Sequence, residues 1–224
     1  MGRLDGKVAV ITGATSGIGL RTAEVFVAEG ARIVIAGRRA PEGEALAQQL
    51  GSNCVFRQTD VTVEEQMQAL IALAVEKFGR IDCLFNNAGG PAQTGGIEGL
   101  DVERFDAAMA TLVRSVMLGM KHAAPTMRKQ GFGSIINNGS IAGRLAGFSS
   151  SMVYGAAKAA VIHFTKCVAM ELGESGIRVN SISPGAIATG IFGKALGLPT
   201  DAAEKTAAVM REVYKAAQQI PRAG

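Results

Sequence analysis

The sequence predicts an α/β fold: a doubly wound parallel sheet in three layers, built as a single domain over residues 1–224. Three observations predict it. Short runs rich in Val and Ile alternate with helix-length stretches along the whole chain. Those runs are apolar nearly throughout, as strands covered on both faces must be. No Pro/Ser-rich linker or internal repeat divides the chain.

The first strand covers residues 7–12 and runs directly into a glycine-rich turn that opens a helix over 18–29. A second strand over 31–37 precedes a helix over 42–50, and a third over 54–59 precedes a helix over 63–78. The fourth, 81–86, leads to the longest helix, 102–129. The fifth, 134–138, leads to a helix over 152–174, with Ser149 and Ser150 in the loop before it and Ser151 as its N-cap. A sixth strand over 177–183 and a helix over 201–219 complete the order. β-Branched residues favour the strands because their stiff χ1 suits a pleated surface. Apolar residues three and four apart mark the helices.

Composition removes several classes. With 224 residues, 48% of them apolar and 19% charged, the chain can bury a sizeable core. Mean hydropathy is positive at +0.23, yet no run approaches the roughly eighteen uninterrupted apolar residues of a membrane span. Met1-Gly2-Arg3-Leu4-Asp5 is too polar to open a signal peptide, and Gly6 stands where myristoylation requires Ser or Thr, so a cytoplasmic protein is expected. Cys54, Cys83 and Cys167 are too far apart for a metal knuckle and odd in number, which excludes a disulfide framework; all three read as core thiols. The net charge of +4 is dispersed, Arg38-Arg39 being the only basic doublet, so no nucleic-acid partner is expected. His122 and His163 lack any zinc-binding spacing, and no metal is expected. Met109, Met117 and Met120, at helical spacing, read as core or interface packing.

In a doubly wound sheet the ligand lies beyond the carboxyl ends of the strands. After strand one the sequence reads Thr12-Gly13-Ala14-Thr15-Ser16-Gly17-Ile18-Gly19. Gly13 permits the tight turn, Gly17 lets a diphosphate approach the backbone, Gly19 lets helix and strand pack closely, and the free amides of the helix end favour an anion. A glycine-rich turn holding no ligand is the alternative. The absence of GK[ST] excludes a phosphate-hydrolysing loop. Asp60 follows strand three, Asn86-Asn87-Ala88-Gly89 follows strand four, Ser140 follows strand five, Tyr154-x-x-x-Lys158 lies in the next helix, and Pro184-Gly185 follows strand six.

In that order these motifs resemble the short-chain dehydrogenase/reductase family, of Rossmann type, over nearly the whole chain. The resemblance implies an enzyme that moves a hydride between a nicotinamide cofactor and an alcohol or ketone. Such chemistry needs a proton shuttled at the substrate oxygen. A phenol with an ordinary pKa near 10 is a poor base at neutral pH, and a lysine ammonium one helical turn away is a direct means of lowering it. Tyr154 and Lys158 have that spacing. The resemblance further implies that Ser140 orients the substrate oxygen and that Lys158 also holds the nicotinamide ribose. One position departs from the pattern: Leu112 stands where the family places an asparagine of its proton relay. Either Ser115 or backbone carbonyls hold the relay water, or catalysis is slowed, or the chain is a nucleotide-binding sensor with little turnover.

Cofactor choice rests on Gly37, which stands where an NAD-binding site offers a carboxylate to the adenosine ribose, and on Arg38 and Arg39 beyond it. A missing carboxylate and an arginine fork favour NADP over NAD, with NAD left open. By resemblance, Asp60 and Val61 receive the adenine, Asn87, Ala88 and Gly89 line the adenosine side, and Ile187 and Thr189 reach the carboxamide end. The segments 143–148 and 191–198 around the reacting carbon are apolar with few charges, which points to an apolar, cyclic secondary alcohol or ketone. The two long helices, 102–129 and 152–174, correspond to those that pair family members as a homodimer or homotetramer. Relatives continue beyond a segment like 220–224 into a further helix and a seventh strand. The expectation is therefore a chain lacking that last strand, with strand six at the edge of the sheet.

Overall fold

A computed structural model describes residues 2–217. Its sheet has six parallel strands: β1 (Val8–Thr12), β2 (Arg32–Gly37), β3 (Cys54–Gln58), β4 (Cys83–Asn86), β5 (Gly133–Asn138) and β6 (Ile177–Ile182). They are ordered β3-β2-β1-β4-β5-β6, every pair parallel. The chain reverses its direction of travel between β1 and β4, which is where such sheets open a crevice.

Helices α1 (Gly17–Ala28) and α2 (Ala40–Leu50) cover one face, where Ile11, Ile33, Ile35 and Phe85 pack with Ala23 and Leu46. Helix α3 (Glu64–Phe78) and two later helices cover the other, where Val10, Val34, Leu84 and Ile135 pack with Met67, Leu70 and Met127. Strands β1 and β2 are buried almost end to end. Each fully buried Val, Leu or Ile in such a layer contributes about 1.5–3 kcal/mol, which explains the near-continuous apolar runs.

The single long helix expected over 102–129 is interrupted. Helix α4 (Val102–Met109), with Asp101 capping it through a bond from the Arg104 N–H, passes into a π-helical turn over Ala110–Arg114 and then into α5 (Ser115–Gln130). Leu112 sits inside that π turn, 1% exposed, against Ala108, Val153 and Ala157. The wide turn is invisible to a hydrophobic period of 3.6 because the residues on either side keep the helical spacing.

Helix α6 (Met152–Leu172) is capped by Ser151, whose Oγ accepts from the Tyr154 N–H at 3.1 Å. After β6 the segment expected to surround the substrate contains a short helix, α7 (Ile191–Ala195), and α8 (Thr200–Ala217) follows. The last two residues of the helix expected over 201–219, and the tail 220–224, lie outside the described residues. β6 pairs only with β5 among the described residues, an edge position.

Two composition readings are corrected or refined. Cys167 is exposed on α6 rather than a core thiol, because it falls on the outer face of an otherwise apolar helix; Cys54 is buried and Cys83 half-buried. Met120 and Met127 are core, and Met117 packs against it. Among the described residues no helix is long and apolar enough to cross a membrane, and no cluster of three potential metal ligands occurs.

Candidate functional site

A cleft of about 640 Å³ opens at the carboxyl ends of β1 to β5. Thr12, at the end of β1, ties its floor together: Oγ1 accepts from the Asn87 and Ala88 N–H groups, both at 3.0 Å, and donates to Phe85 O. The glycine turn follows. Gly13 has φ +65°, and a Cβ there would lie 2.7 Å from Ala88 Cα, so both its conformation and the approach of the β4 loop require glycine. At Gly19 a Cβ would strike Gly13 O at 2.3 Å, which accounts for close helix–strand packing there. Ser16, the N-cap of α1, makes no side-chain cap bond, leaving the amides of the first turn uncapped by it.

Gly37 ends β2 directly beneath the turn. A Cβ on it would lie 2.7 Å from Thr15 Cγ2, so a side chain here requires Thr15 to move. Arg38 is exposed. Arg39 is already engaged, donating to Thr15 O at 3.0 Å, to Thr15 Oγ1 at 3.2 Å and to Glu42 at 2.9 Å. Asp60 is held ionised: bonds from the Thr62 N–H, then from the Thr62 hydroxyl, with Arg38 nearby, hold its carboxyl below the usual value.

At the opposite end of the cleft stand Tyr154 and Lys158 from the first turns of α6. Lys158 is 4% exposed; its Nζ donates to Asn138 O at 2.6 Å and lies 5.7 Å from the centre of the Tyr154 ring. Burial lowers Lys158 from 10.5 to about 8. Burial also pushes the Tyr154 phenol above its ordinary value of 10, and a hydrogen bond with Ser140 offsets this only in part. The expectation that Lys158 lowers Tyr154 is thus corrected for this state of the protein: the ammonium is turned to a backbone carbonyl, and desolvation dominates the phenol. Ser140, 8% exposed, also accepts from the Ala142 N–H at 3.2 Å.

The wall between the two ends fits a dinucleotide. Asn87 donates through Nδ2 to Thr12 O and Gly13 O, which fixes its amide so that Oδ1 accepts from Asn138 Nδ2 at 3.0 Å. Asn138 Oδ1 is consequently buried with no partner among the described residues, an acceptor awaiting a donor. A Cβ on Gly89 would meet Leu112 Cδ2 at 3.3 Å, so a side chain there would press on the π turn. Ser115 donates its hydroxyl to Thr111 O at 2.6 Å and lies off the cleft wall, whereas Ala110, Thr111 and Leu112 form part of it.

Of the residues the sequence singles out, Gly13, Thr15, Ser16, Gly17, Ile18, Arg38, Arg39, Asp60, Val61, Asn87, Ala88, Gly89, Tyr154, Lys158 and Thr189 meet on this one cleft. Ser140 reaches it through its bond with Tyr154. Gly19 acts in packing, and Pro184, Gly185 and Ile187 lie off the wall; Pro184 O instead accepts from the Ile141 N–H, fixing the loop behind Ser140. Asn138 is a site residue the sequence did not single out, and Thr12 and Lys194, which fall within segments it did quote, were given no role there. Only the position of Thr12 and Asn138 at strand ends marked them. The two segments expected to face the substrate expose Leu145, Phe148, Phe192 and Leu196.

Comparison with known proteins agrees with this geometry. Residues 7–196 match the sequence profile described as short chain dehydrogenase. The chain is 40% identical over 193 residues to (+)-borneol dehydrogenase 2 of Salvia officinalis, an alignment covering 84% of this chain and 68% of that protein. The crystal structure of levodione reductase superposes with a TM-score of 0.85 at 32% identity, covering 96% of this chain and 86% of that one. A 3-ketoacyl-(acyl-carrier-protein) reductase from Brucella melitensis, complexed with NADH, superposes with a TM-score of 0.77 at 34% identity, covering 82% of this chain and 77% of that one.

Proposed function

The chain belongs to the short-chain dehydrogenase family, and from that membership we propose that it interconverts an apolar, cyclic secondary alcohol and its ketone, using NADP(H) in preference to NAD(H). The observation that carries the proposal is the meeting in one cleft of the glycine turn with the Tyr154–Lys158 pair. Relatives named for borneol and levodione, a cyclic alcohol and a cyclic ketone, support the substrate class, as do the exposed apolar residues of segments 143–148 and 191–198. Gly37 without a carboxylate and exposed Arg38 favour a 2′-phosphate.

When bound, the cofactor supplies or takes the hydride at the substrate carbon. Tyr154 holds the proton at the substrate oxygen, releasing it in reduction and accepting it in oxidation. A phenol raised by burial stays protonated through neutral pH, which suits reduction; oxidation needs the phenolate, so its rate should climb with pH. Ser140 orients the substrate oxygen beside Tyr154. Lys158 holds the nicotinamide ribose, Asp60 and Val61 the adenine, and Thr189 the carboxamide end. With no side-chain relay at Leu112 and Ser115 off the cleft wall, the route left to this reading is a water held by backbone carbonyls. Phe105, Met152 and Met170, exposed on α4 and α6, support pairing of two copies through these helices.

The test is turnover followed by nicotinamide absorbance over a panel of alicyclic alcohols and ketones. Tyr154→Phe should abolish it while NADPH binding persists; full activity in that variant would sink the mechanism. Leu112 favours a second reading, a nucleotide sensor with little turnover. Leu112→Asn separates the two: a large gain in rate marks a slowed enzyme, and inactivity of both forms across the panel marks the sensor.

A further inference from the structure

Helix α7 carries one ammonium to the cleft, that of Lys194. Its Nζ donates to Ser16 Oγ at 3.2 Å and to Glu204 Oε1 at 2.8 Å. Ser16 and Lys194 stand on the same wall, one at the N-cap of α1 and the other across from it, although 178 residues separate them in sequence. The Glu204 carboxylate is seated against the backbone that starts α7. A Cβ on Gly190 would meet its carbon at 2.7 Å, so the bare glycine leaves the carboxylate its place.

We propose that Lys194 is a diphosphate-binding residue and that Glu204 is the counter-ion that holds it over the glycine turn until nucleotide arrives. This inference rests on the nucleotide-binding reading above. The turn offers a diphosphate uncharged amides and a helix dipole, with no acidic residue in the first turn of α1 to oppose the anion. Lys194 adds a full positive charge at the same place. Its pair with Glu204 is about a third exposed on both sides, at 32% and 35%, so solvent weakens it. A diphosphate bears two charges against the single charge of the carboxylate and draws the ammonium across the short distance from Ser16 Oγ.

Calorimetric titration of NADPH, NADH and ADP-ribose tests this, with adenosine 2′-monophosphate as a ligand lacking the diphosphate. Lys194→Met keeps the aliphatic stem and should weaken the first three by about tenfold each, the worth of one charge-assisted bond. Adenosine 2′-monophosphate should be unaffected, and Lys194→Arg should restore most of the loss. Glu204→Gln decides between charge and mere tethering of α7, since it removes the negative charge from the same tie and leaves only a neutral acceptor. Binding by Glu204→Gln that equals or exceeds the wild type upholds the proposal. Weaker binding in Glu204→Gln, or unchanged binding in Lys194→Met, overturns it. Wild-type protein that binds none of the three diphosphates would overturn the nucleotide reading itself, and this inference with it.

Discussion

Lys158 stores a measurable destabilisation. Its fall from 10.5 to about 8 is caused by burial of the ammonium, and at 1.36 kcal/mol per pH unit it amounts to about 3 kcal/mol held against folding. Below pH 8 both folded and unfolded chains carry the proton, and the cost is at full strength. Between about pH 8 and 10.5 the folded chain has released a proton that the unfolded chain still binds, so stability must rise with pH through that window. Lys158→Met keeps an unbranched side chain and removes the charge. It also leaves Asn138 O without its 2.6 Å donor, an offset of about 1–3 kcal/mol that does not vary with pH. The difference between variant and wild type isolates the titration. Guanidinium unfolding at pH 7, 8, 9 and 10 should show the wild type gaining about 2–3 kcal/mol on the variant by pH 10. A difference that stays flat across this range would show that the ammonium is not desolvated as its burial requires.

Three other outcomes follow from the site. Gly37→Asp, the substitution that would install an NAD-type carboxylate, should cost about 1–3 kcal/mol because its Cβ meets Thr15 Cγ2 at 2.7 Å. Adding Thr15→Ala should recover most of that loss in urea unfolding. Thr12→Val strips the acceptor from two backbone N–H groups of the β4 loop; about 2–4 kcal/mol should be lost, together with nucleotide affinity in the same titrations. Arg38→Leu should weaken NADPH about tenfold and leave NADH unchanged, and equal weakening of both would remove Arg38 from the 2′-phosphate site.

Much of this molecule could be read before any coordinates. The apolar strand runs predicted six parallel strands; β1 and β2 at the centre are buried almost throughout, because only a sheet covered on both faces tolerates Val and Ile without alternation, whereas β6 at the edge alternates buried with exposed residues. Local chemistry at strand ends marked the glycine turn, the Asn87 loop and the Tyr154–Lys158 spacing, each of which is short-range in sequence. What stayed hidden depends on atoms brought together from far apart. The π turn at Leu112 leaves the helical period intact on both sides. The role of Gly37 requires Thr15 on another element to be known, and the tie from Lys194 to Ser16 joins the two ends of the chain. The state of the central pair was decided in the same way. Sequence put an ammonium one turn from a phenol, which by Coulomb attraction alone lowers the phenol. Tertiary packing buried the ammonium, half-buried the phenol and turned the ammonium to Asn138 O, so that desolvation, a property of everything around the pair, raises the phenol instead.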